Sequence, residues 1–276
     1  MQNILTIDVE DYFQVENFKG VIDFSDWEGY ELRVVKNTEK ILKILAEKNV
    51  KATFFVLGWV AEKAPGLVKK IYKEGHEVAC HGYAHQLIYR QTPQEFRADL
   101  RRAKSILEGI IQESVLGYRA PTYSITKESI WALEILAEEG FKYDSSIFPM
   151  AREKGGFPEA ERWPHKVYNH QDYIWEFPIS TVKLFNKNIA FSGGGYFRLL
   201  PYGFVRWAIG SVNKEGYPTI IYLHPWELDP QQPRVKADYM SRFKHYVNIS
   251  KTEQKLKQLL NDFEFTSVRG YLGNVK

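Results

Sequence analysis

The sequence predicts an α/β protein built around a mostly parallel sheet. Short apolar runs alternate with segments of helical period along the chain, which is the pattern of repeated βα units. Several helical segments also carry their own end signals, such as Thr92–Glu95, a capping box with proline at the first helical position. Gly75 and Gly140 follow the last apolar positions of two helices, where glycine commonly ends a helix. Together these features predict alternating strands and helices.

Seven strands and six helices are predicted in chain order. The strands are expected at Ile4–Ile7, Ala52–Leu57, Glu77–Cys80, Val115–Tyr118, Ile174–Pro178, Thr219–Leu223 and Phe263–Val268. The helices are expected at residues 38–48, 62–74, 93–109, 127–139, 201–213 and 251–261. A second capping box, Ser250–Glu253, predicts where the last helix begins.

Two longer excursions interrupt this rhythm. Residues 149–172 are rich in proline and glycine, and a loop of this length is usually either functional or disordered. Its aromatic residues favour an ordered loop. The second excursion, residues 186–200, holds the glycine-rich run Ser192–Arg198. We expect residues 1–276 to form a single domain with these two elaborated loops.

The composition argues against several classes of protein. The 276 residues include 37 Lys+Arg and 34 Asp+Glu, and the net charge of +3 is too small to suggest a nucleic-acid or anionic-membrane binder. The single cysteine, Cys80, excludes an intramolecular disulfide framework. No signal peptide is apparent, and no apolar run approaches the ~20 residues of a membrane span. We therefore expect a cytoplasmic or peripherally associated protein. No basic amphipathic helix is obvious, which argues against direct lipid insertion.

Acidic residues follow the first predicted strand at Asp8, Glu10 and Asp11. In parallel α/β sheets and barrels, ligands lie beyond the carboxyl ends of the strands, so these carboxylates point toward a site. An acidic cluster of this kind could equally cap a helix or lie in a solvated turn.

Two histidines, His81 and His85, follow the third predicted strand. Two neutral imidazoles and a carboxylate form a common ligand set for a divalent metal with open coordination positions. A surface or core histidine pair is the alternative. His76 precedes the same strand and therefore lies at its opposite end, where we expect a structural role.

Arg119 and His224 follow two further predicted strands. Arg119 could form charge-assisted hydrogen bonds with a site carboxylate and hold it ionised, and the alternative is a surface arginine. His224 titrates near neutral pH and could protonate a leaving group, and the alternative is a hydrogen-bonded core histidine. Because all these groups lie at carboxyl ends of strands, they would converge on one mouth of a barrel.

The order of these residues resembles the polysaccharide deacetylases with a NodB homology domain, which form carbohydrate esterase family 4. The motifs that carry the resemblance are Thr6–Asp8, His81–His85, Arg119–Pro121, Tyr143–Ser146 and Leu223–His224. Segments that resemble the subgroup found with bacterial exopolysaccharide and exosortase loci are Asp8–Gln14, Ser192–Arg198 and His224–Glu227. The resemblance implies a distorted, incomplete (β/α) barrel of about seven strands.

The resemblance also implies catalytic roles. It implies that Asp8 acts as the base, that His224 protonates the departing amine, and that Arg119 orients Asp8 and keeps it ionised. Asp144 is expected to orient Arg119 or His224, and a capping or turn role is its alternative.

A divalent metal, with Zn²⁺ as the favoured ion, is implied as the cofactor. Its expected ligands are His81, His85 and an acidic residue. The usual family pattern has a base aspartate directly followed by a ligand aspartate, whereas here valine follows the first aspartate. Glu10 is therefore expected as the acidic ligand, with Asp11 as its substitute.

The activity implied is metal-dependent hydrolysis of N-acetyl groups on an amino-sugar polysaccharide or its lipid-linked precursor, in exopolysaccharide or cell-envelope glycan synthesis. The alternatives are hydrolysis of a small non-sugar amide or imide, and a non-catalytic glycan-binding protein. Aromatic candidates for sugar binding near the predicted mouth are Tyr123, Trp163, Tyr196 and Trp226. The expected partner is a glycan, with peripheral association to a membrane polysaccharide synthesis complex and no nucleic acid.

Overall fold

The computed structural model of the chain describes residues 1–169 and 172–274. Its strands are β1 (Asn3–Val9), β2 (Thr53–Val56), β3 (Glu77–Cys80), β4 (Gly117–Tyr118), β5 (Tyr143–Asp144), β6 (His165–Asn169), β7 (Asp172–Glu176), β8 (Thr181–Leu184), β9 (Lys187–Ala190), β10 (Ile220–Leu223) and β11 (Phe265–Thr266). Its helices are α1 (Val34–Glu47), α2 (Gly58–Lys63), α3 (Pro65–Lys73), α4 (Pro93–Ile111), α5 (Trp131–Glu138), α6 (Gly194–Leu199), α7 (Tyr202–Lys214), α8 (Tyr239–Tyr246), α9 (Ile249–Asp262) and α10 (Val268–Asn274).

Nine strands of the described ranges form one curved sheet. Their order is β10-β1-β2-β3-β4-β5-β7-β6, and β11 pairs with the first residues of β1. Neighbours are parallel except for β6 and β7, which form an antiparallel hairpin. Because β10 and β6 stand at the two ends of this order, the barrel is incomplete. The predicted distorted (β/α) barrel is confirmed, with nine strands in place of about seven.

The central strand β1 separates two apolar layers. Leu5 and Ile7 belong to the large core that the sheet forms with the helices, whereas Ile4 belongs to a second cluster on the other face. Successive strand residues point to opposite faces, so Thr6 and Asp8 share the face of Ile4. This alternation carries Asp8 to the inner side of the barrel at the end of the strand.

The helices differ from the prediction at several places. Helix α1 begins at Val34 rather than residue 38, α5 begins at Trp131 rather than residue 127, and α6, α8 and α10 have no predicted counterpart. The segment 62–74 is divided into α2 and α3 at Ala64, because Pro65 has no backbone N–H to continue the first helix. The capping box predicted at Ser250–Glu253 is wrong, since α9 begins two residues earlier than it implies, with Asn248 at the N-cap in a left-handed conformation. Among the described residues, no helix has the length and apolar character needed to cross a bilayer.

Both predicted excursions contain regular structure. The first, 149–172, includes β6, which pairs with β7. Residues 170 and 171 lie outside the described residues. The second, 186–200, includes β9 and α6, and Gly193 at its centre forms a bridge with Tyr222 of β10. The glycine-rich run is therefore tied to the sheet rather than suspended as a loop.

Candidate active site

A pocket of about 400 Å³ opens at the carboxyl ends of β1, β3 and β10. The polar side chains that follow these strands line it: Asp8, Glu10, His81, His85 and His224. Parallel strands deliver their carboxyl ends to one edge of a sheet. The structure therefore brings together five of the seven residues that the sequence places at strand ends.

Glu10, His81 and His85 form a compact cluster in which one ligand-type atom of each lies within 4.8 Å of the others. All three side chains are buried. His81 Nδ1 lies 2.7 Å from the backbone oxygen of Arg119, so Nδ1 donates and Nε2 keeps a free lone pair. His85 has a φ of 52°, a conformation uncommon for a residue with a side chain and often found at functional sites.

The contacts inside this cluster fit a cation. Glu10 Oε2 lies 2.9 Å from His85 Nε2, yet this buried oxygen has no hydrogen-bond partner of acceptable geometry in the described structure. Burial acts to raise the pKa of Glu10, but His85 and His224 outweigh it and hold the pKa at about 2. Burial lowers the pKa of His81 to about 4. At neutral pH the cluster therefore offers a carboxylate and a neutral imidazole as ligands.

Asp11 takes a different role. Its Oδ1 accepts the N–H of Tyr12 at 2.8 Å, and its Oδ2 accepts those of Arg33 and Val34 at 2.6 and 2.7 Å. Oδ2 thus holds the start of α1, where free N–H groups favour a carboxylate, and Oδ1 holds the backbone at Tyr12. Burial raises the pKa of Asp11 to about 6. Of the two acidic candidates, the structure places Glu10 with the histidines.

Arg119 is fully buried and holds Asp8 in place. Its Nη1 donates to Asp8 Oδ1 at 2.8 Å and to Thr6 Oγ1 at 2.7 Å. Its Nε and Nη2 donate to the backbone oxygen and the hydroxyl of Ser145, at 3.0 and 2.8 Å. Asp8 Oδ2 lies 3.9 Å from His224 Nε2. One carboxylate oxygen is therefore held by the arginine, which leaves the other as a proton acceptor.

His224 contacts the cluster through Nε2, which lies 3.1 Å from Glu10 Oε1. Its side chain is 15% exposed, whereas that of Asp8 is 3% exposed. Its Nδ1 lies 3.5 Å from Oε1 of buried Glu227, and Oε2 of Glu227 accepts the backbone N–H of His224 at 3.3 Å. Burial acts to lower the pKa of His224, but Glu10, Glu227 and Asp8 raise it to about 9. The imidazole is therefore protonated at neutral pH.

Glu227 is itself held by the buried Arg198, whose Nε lies 3.1 Å from Oε1. Arg198 also donates to the backbone oxygens of Lys244, His245 and Val247. The guanidinium thus connects α6 and α8 to the residues that follow β10. The sequence interpretation singles out neither Glu227 nor Arg198, although each ends a segment that resembles the exopolysaccharide subgroup.

The four aromatic candidates have different surroundings. Tyr123 and Trp226 line the pocket but are buried, and the Trp226 ring stacks on two imidazoles with centroids 5.2 and 4.1 Å away. Trp163 is not among the described residues that line the pocket, so its predicted place near the mouth is wrong; it stacks on a tyrosine at 4.2 Å. Tyr196 lines the pocket and is 36% exposed. Of the four, Tyr196 presents the most open ring to a ligand.

Asp144 supports the site from a distance. Its Oδ1 accepts the hydroxyl of Ser146 at 2.6 Å, and its Oδ2 accepts the Ser146 N–H at 3.0 Å. The same hydroxyl accepts the backbone N–H of Ala120 at 2.7 Å. Asp144 thus acts through Ser146 on the segment after Arg119. Ser145, which the sequence interpretation does not single out, contacts Arg119 directly.

Two family models match consecutive parts of the chain. Residues 24–143 match the polysaccharide deacetylase model, and residues 145–273 match a domain of unknown function, DUF3473. Over 98 residues the chain is 38% identical to a peptidoglycan-N-acetylglucosamine deacetylase of Bacillus cereus, and the match covers 35% of this chain and 36% of that protein. The chain spans about a third of the length of such curated relatives.

Two solved structures share the fold. A protein of Mycobacterium smegmatis, described as a polysaccharide deacetylase, has a TM-score of 0.65 at 20% identity, covering 99% of this chain and 88% of that chain. The Puue allantoinase has a TM-score of 0.60 at 15% identity, covering 97% and 87%. At such identities the similarity shows the fold alone, and one fold can carry different activities. The substrate has to be inferred from the pocket.

Proposed function

We propose that this chain, which belongs to the polysaccharide deacetylase family, removes N-acetyl groups from an amino-sugar glycan by metal-dependent hydrolysis. The observation that carries the proposal is a single pocket that holds the Glu10, His81 and His85 cluster together with arginine-held Asp8 and His224. The substrate class is supported by the Bacillus cereus relative, which is named as a peptidoglycan-N-acetylglucosamine deacetylase.

Glu10, His81 and His85 would hold the divalent metal, and Zn²⁺ is the expected ion. A carboxylate and two imidazoles are a common zinc ligand set that keeps an open position. Zinc in such a site lowers the pKa of water and polarises a carbonyl group. The unpartnered Glu10 Oε2 and the free lone pair of His81 support this use of the cluster.

Asp8 and His224 would move the protons of the reaction. Asp8 would accept a proton from the attacking water, because Arg119 donates to its Oδ1 and stabilises the ionised carboxylate. His224 would donate a proton to the departing amine, since a pKa of about 9 keeps it protonated at neutral pH. Both groups border the same cluster, so a base and an acid serve one bound amide.

A glycan substrate is supported by the wall of the pocket. Tyr196 and Phe243 line the pocket and are also exposed at the surface. A wall that continues outward in this way suits a chain that extends beyond the reacting sugar, whereas a small amide would need no such extension. The role in exopolysaccharide or cell-envelope glycan synthesis and the cytoplasmic location stay predictions.

Acetate release from N-acetylglucosamine oligomers tests the proposal. We would compare metal-stripped protein, zinc-restored protein and restored His81→Ala, and we expect release only from the restored parent protein. His165→Ala is a matched control, because this histidine lies on β6 and is not among the described residues that line the pocket. It should release acetate at the parent rate.

The negative outcomes separate the alternatives. Bound zinc without acetate release would contradict glycan deacetylation and favour a small non-sugar amide or imide. Failure to bind zinc, with oligosaccharide still bound, would favour a non-catalytic glycan-binding protein. Acetate release from His81→Ala at the parent rate would remove the cluster from the mechanism.

A further inference from the structure

Five exposed apolar side chains lie beside the mouth of the pocket, and we call them the mouth patch. Tyr239, Met240 and Phe243 belong to α8 and are 79%, 53% and 44% exposed. Tyr196 and Leu199 belong to α6 and are 36% and 52% exposed. Single exposed apolar side chains are ordinary, whereas a group of them beside a pocket marks an interaction surface.

The mouth patch is continuous with the pocket and fixed in place. Tyr196, Leu199 and Phe243 line the pocket as well as the surface. The two helices are held together by Arg198 of α6, whose Nη2 donates to the backbone oxygen of Lys244 in α8 at 3.0 Å. The patch is therefore part of the packed fold.

Cations flank the mouth patch on α8. At about 100° per residue, the three patch residues of this helix form one outward arc, with Arg242 on one side of it and Lys244 on the other. His245, on the opposite side of the helix, is fully buried. An apolar arc bordered by long cationic side chains is typical of a helix that lies in a membrane interface.

The segment before the helix adds to this positive charge. Arg234 and Lys236 are both exposed. Within residues 233–247 the acidic residue is Asp238, whose side chain caps the start of α8. Lys244 also contacts Glu153 at 2.9 Å across the pocket rim. Although Glu153 offsets the charge of Lys244, the basic residues around the patch outnumber the acidic ones. The patch therefore has a local positive charge that is not apparent from the net charge of +3 for the whole chain.

We propose that the mouth patch and its flanking cations bind the surface of an anionic lipid bilayer. The aromatic, methionine and leucine side chains enter the boundary between headgroups and acyl chains, and the cations contact lipid phosphates. The charge favours an anionic bilayer over a neutral apolar partner. The docked protein presents its pocket opening to the headgroup layer. The proposal does not depend on the proposed reaction, because binding needs no turnover.

This proposal differs from an expectation drawn from the sequence. The absence of an obvious basic amphipathic helix argued against direct lipid insertion, whereas α8 carries the apolar arc and flanking cations described above in only eight residues. Its apolar residues face outward, so they do not produce the inward apolar stripe by which a helix is usually predicted.

Co-sedimentation with lipid vesicles tests the proposal. We expect the parent protein to bind vesicles of equal parts phosphatidylglycerol and phosphatidylcholine, and to remain in solution with phosphatidylcholine alone. The double variant Tyr239→Ser/Met240→Ser should bind the anionic vesicles about tenfold more weakly, because it removes buried apolar area. Arg242→Gln should weaken binding about fivefold, through loss of one cation near the surface.

Two control variants match these changes elsewhere on the surface. Phe185→Ser removes a side chain that is 91% exposed at the turn between β8 and β9. Lys69→Gln removes an exposed charge on α3. Neither change should alter vesicle binding. Tyr239 and Met240 are not among the described residues that line the pocket, so their double variant should retain acetate release from soluble oligomers.

Three results would overturn the proposal: no binding to anionic vesicles, equal binding to neutral ones, or full binding by a double variant whose circular dichroism melt is unchanged. Sedimentation velocity without lipid tests whether a second copy of this chain binds the patch instead. A dimer that the double variant loses, together with absent vesicle binding, would assign the patch to a second copy of this chain. If vesicle binding is intact but no acetate is released, only the proposed reaction is contradicted.

Discussion

The two parts of the chain, before and after residue 144, contribute to the pocket in different ways, and family models match residues 24–143 of the first and 145–273 of the second. The part up to residue 144 supplies groups that are buried to within a few per cent: Asp8, Glu10, His81, His85 and Arg119. The part from residue 145 supplies His224, which is partly exposed, together with the open side chains of Tyr196 and Phe243.

This difference suggests a division of roles, in which the buried groups of the first part carry out the chemistry and the exposed side chains of the second part bind the ligand. Strand ends and buried hydrogen bonds hold the first set of groups, which suits chemistry that needs a dry and preorganised site. In the second set His224 follows strand β10, whereas surface helices hold Tyr196 and Phe243, which suits contacts with a large ligand. Changes in the first part should therefore affect metal binding and kcat, and most changes in the second should affect KM or docking.

The largest expected effect is that of Glu10→Gln. Removal of the charge that faces two imidazoles should abolish metal binding and lower acetate release by more than the roughly 10–100-fold typical of residues that merely support metal ligands. Elemental analysis and an acetate assay measure both quantities. Asp11→Asn is the matched control. It should keep the metal and cost about 1 kcal/mol of stability through the weakened cap on α1. If Asp11→Asn loses the metal and Glu10→Gln retains it, Asp11 is the acidic ligand instead.

The variant Glu227→Gln tests more directly how the two parts divide their roles. The neutral amide no longer stabilises a protonated His224, and we expect kcat to fall about 10–100-fold with KM and metal content unchanged. Steady-state kinetics on zinc-restored protein measures this split. Glu153→Gln, a change of the same type at the exposed pocket rim, should have no such effect. Loss of metal from Glu227→Gln would mean that the second part also maintains the cluster.

A smaller effect is expected for Tyr196→Ala. Loss of one open aromatic face should raise KM for N-acetylglucosamine oligomers about two- to tenfold and leave kcat unchanged. Tyr168→Ala, at an exposed tyrosine of β6 that is not among the described pocket residues, is the control. A fall in kcat alone would place Tyr196 with the reactive groups.

The smallest effect on the pocket is expected for His76, which lies at the opposite end of β3 from His81. Burial and the nearby Lys51 lower its pKa to about 4, and its Nδ1 accepts the N–H of Ala52 at 3.2 Å. The unfolded chain therefore binds more protons between the two pKa values, so stability is full above about pH 6.5 and falls as the pH drops toward 4.

Between pH 7 and pH 4 the free energy of unfolding should fall by about 1–3 kcal/mol less in His76→Gln than in the parent protein. Urea unfolding of parent and variant at pH 7 and pH 4 measures the difference, and other buried histidines cancel because both proteins contain them. An identical pH dependence in the two proteins would contradict the role of His76. Metal content should not change, because the residue is remote from the cluster.

The sequence predicts the first part of the pocket well because its signals are local. β3 has the predicted bounds, and His81 and His85 follow it directly. The choice between Glu10 and Asp11 could not be made from sequence, because Asp11 is occupied by the N–H groups of Arg33 and Val34. That contact joins positions more than twenty residues apart.

The second part is less predictable because tertiary contacts decide its structure. β8 and β9 are short and half exposed, and α6 begins in a glycine-rich run, so neither apolar period nor helix propensity identifies them. Glu227 gains its role from Arg198, which precedes it by 29 residues. Such a pair has no local sequence signal.

The position of β1 in the sheet has a consequence for protein synthesis. This strand is synthesised before β10, yet Ile4 pairs with Ile220 of β10, which is 216 residues later because 220 − 4 = 216. At about 5–20 residues per second, one edge of β1 stays open for roughly 10–40 s, and an open strand edge invites aggregation. Glu10, His81 and His85 all precede residue 86, whereas His224 arrives only with β10. In the proposed mechanism, a nascent chain would therefore contain the three candidate metal ligands long before it contains the candidate acid His224.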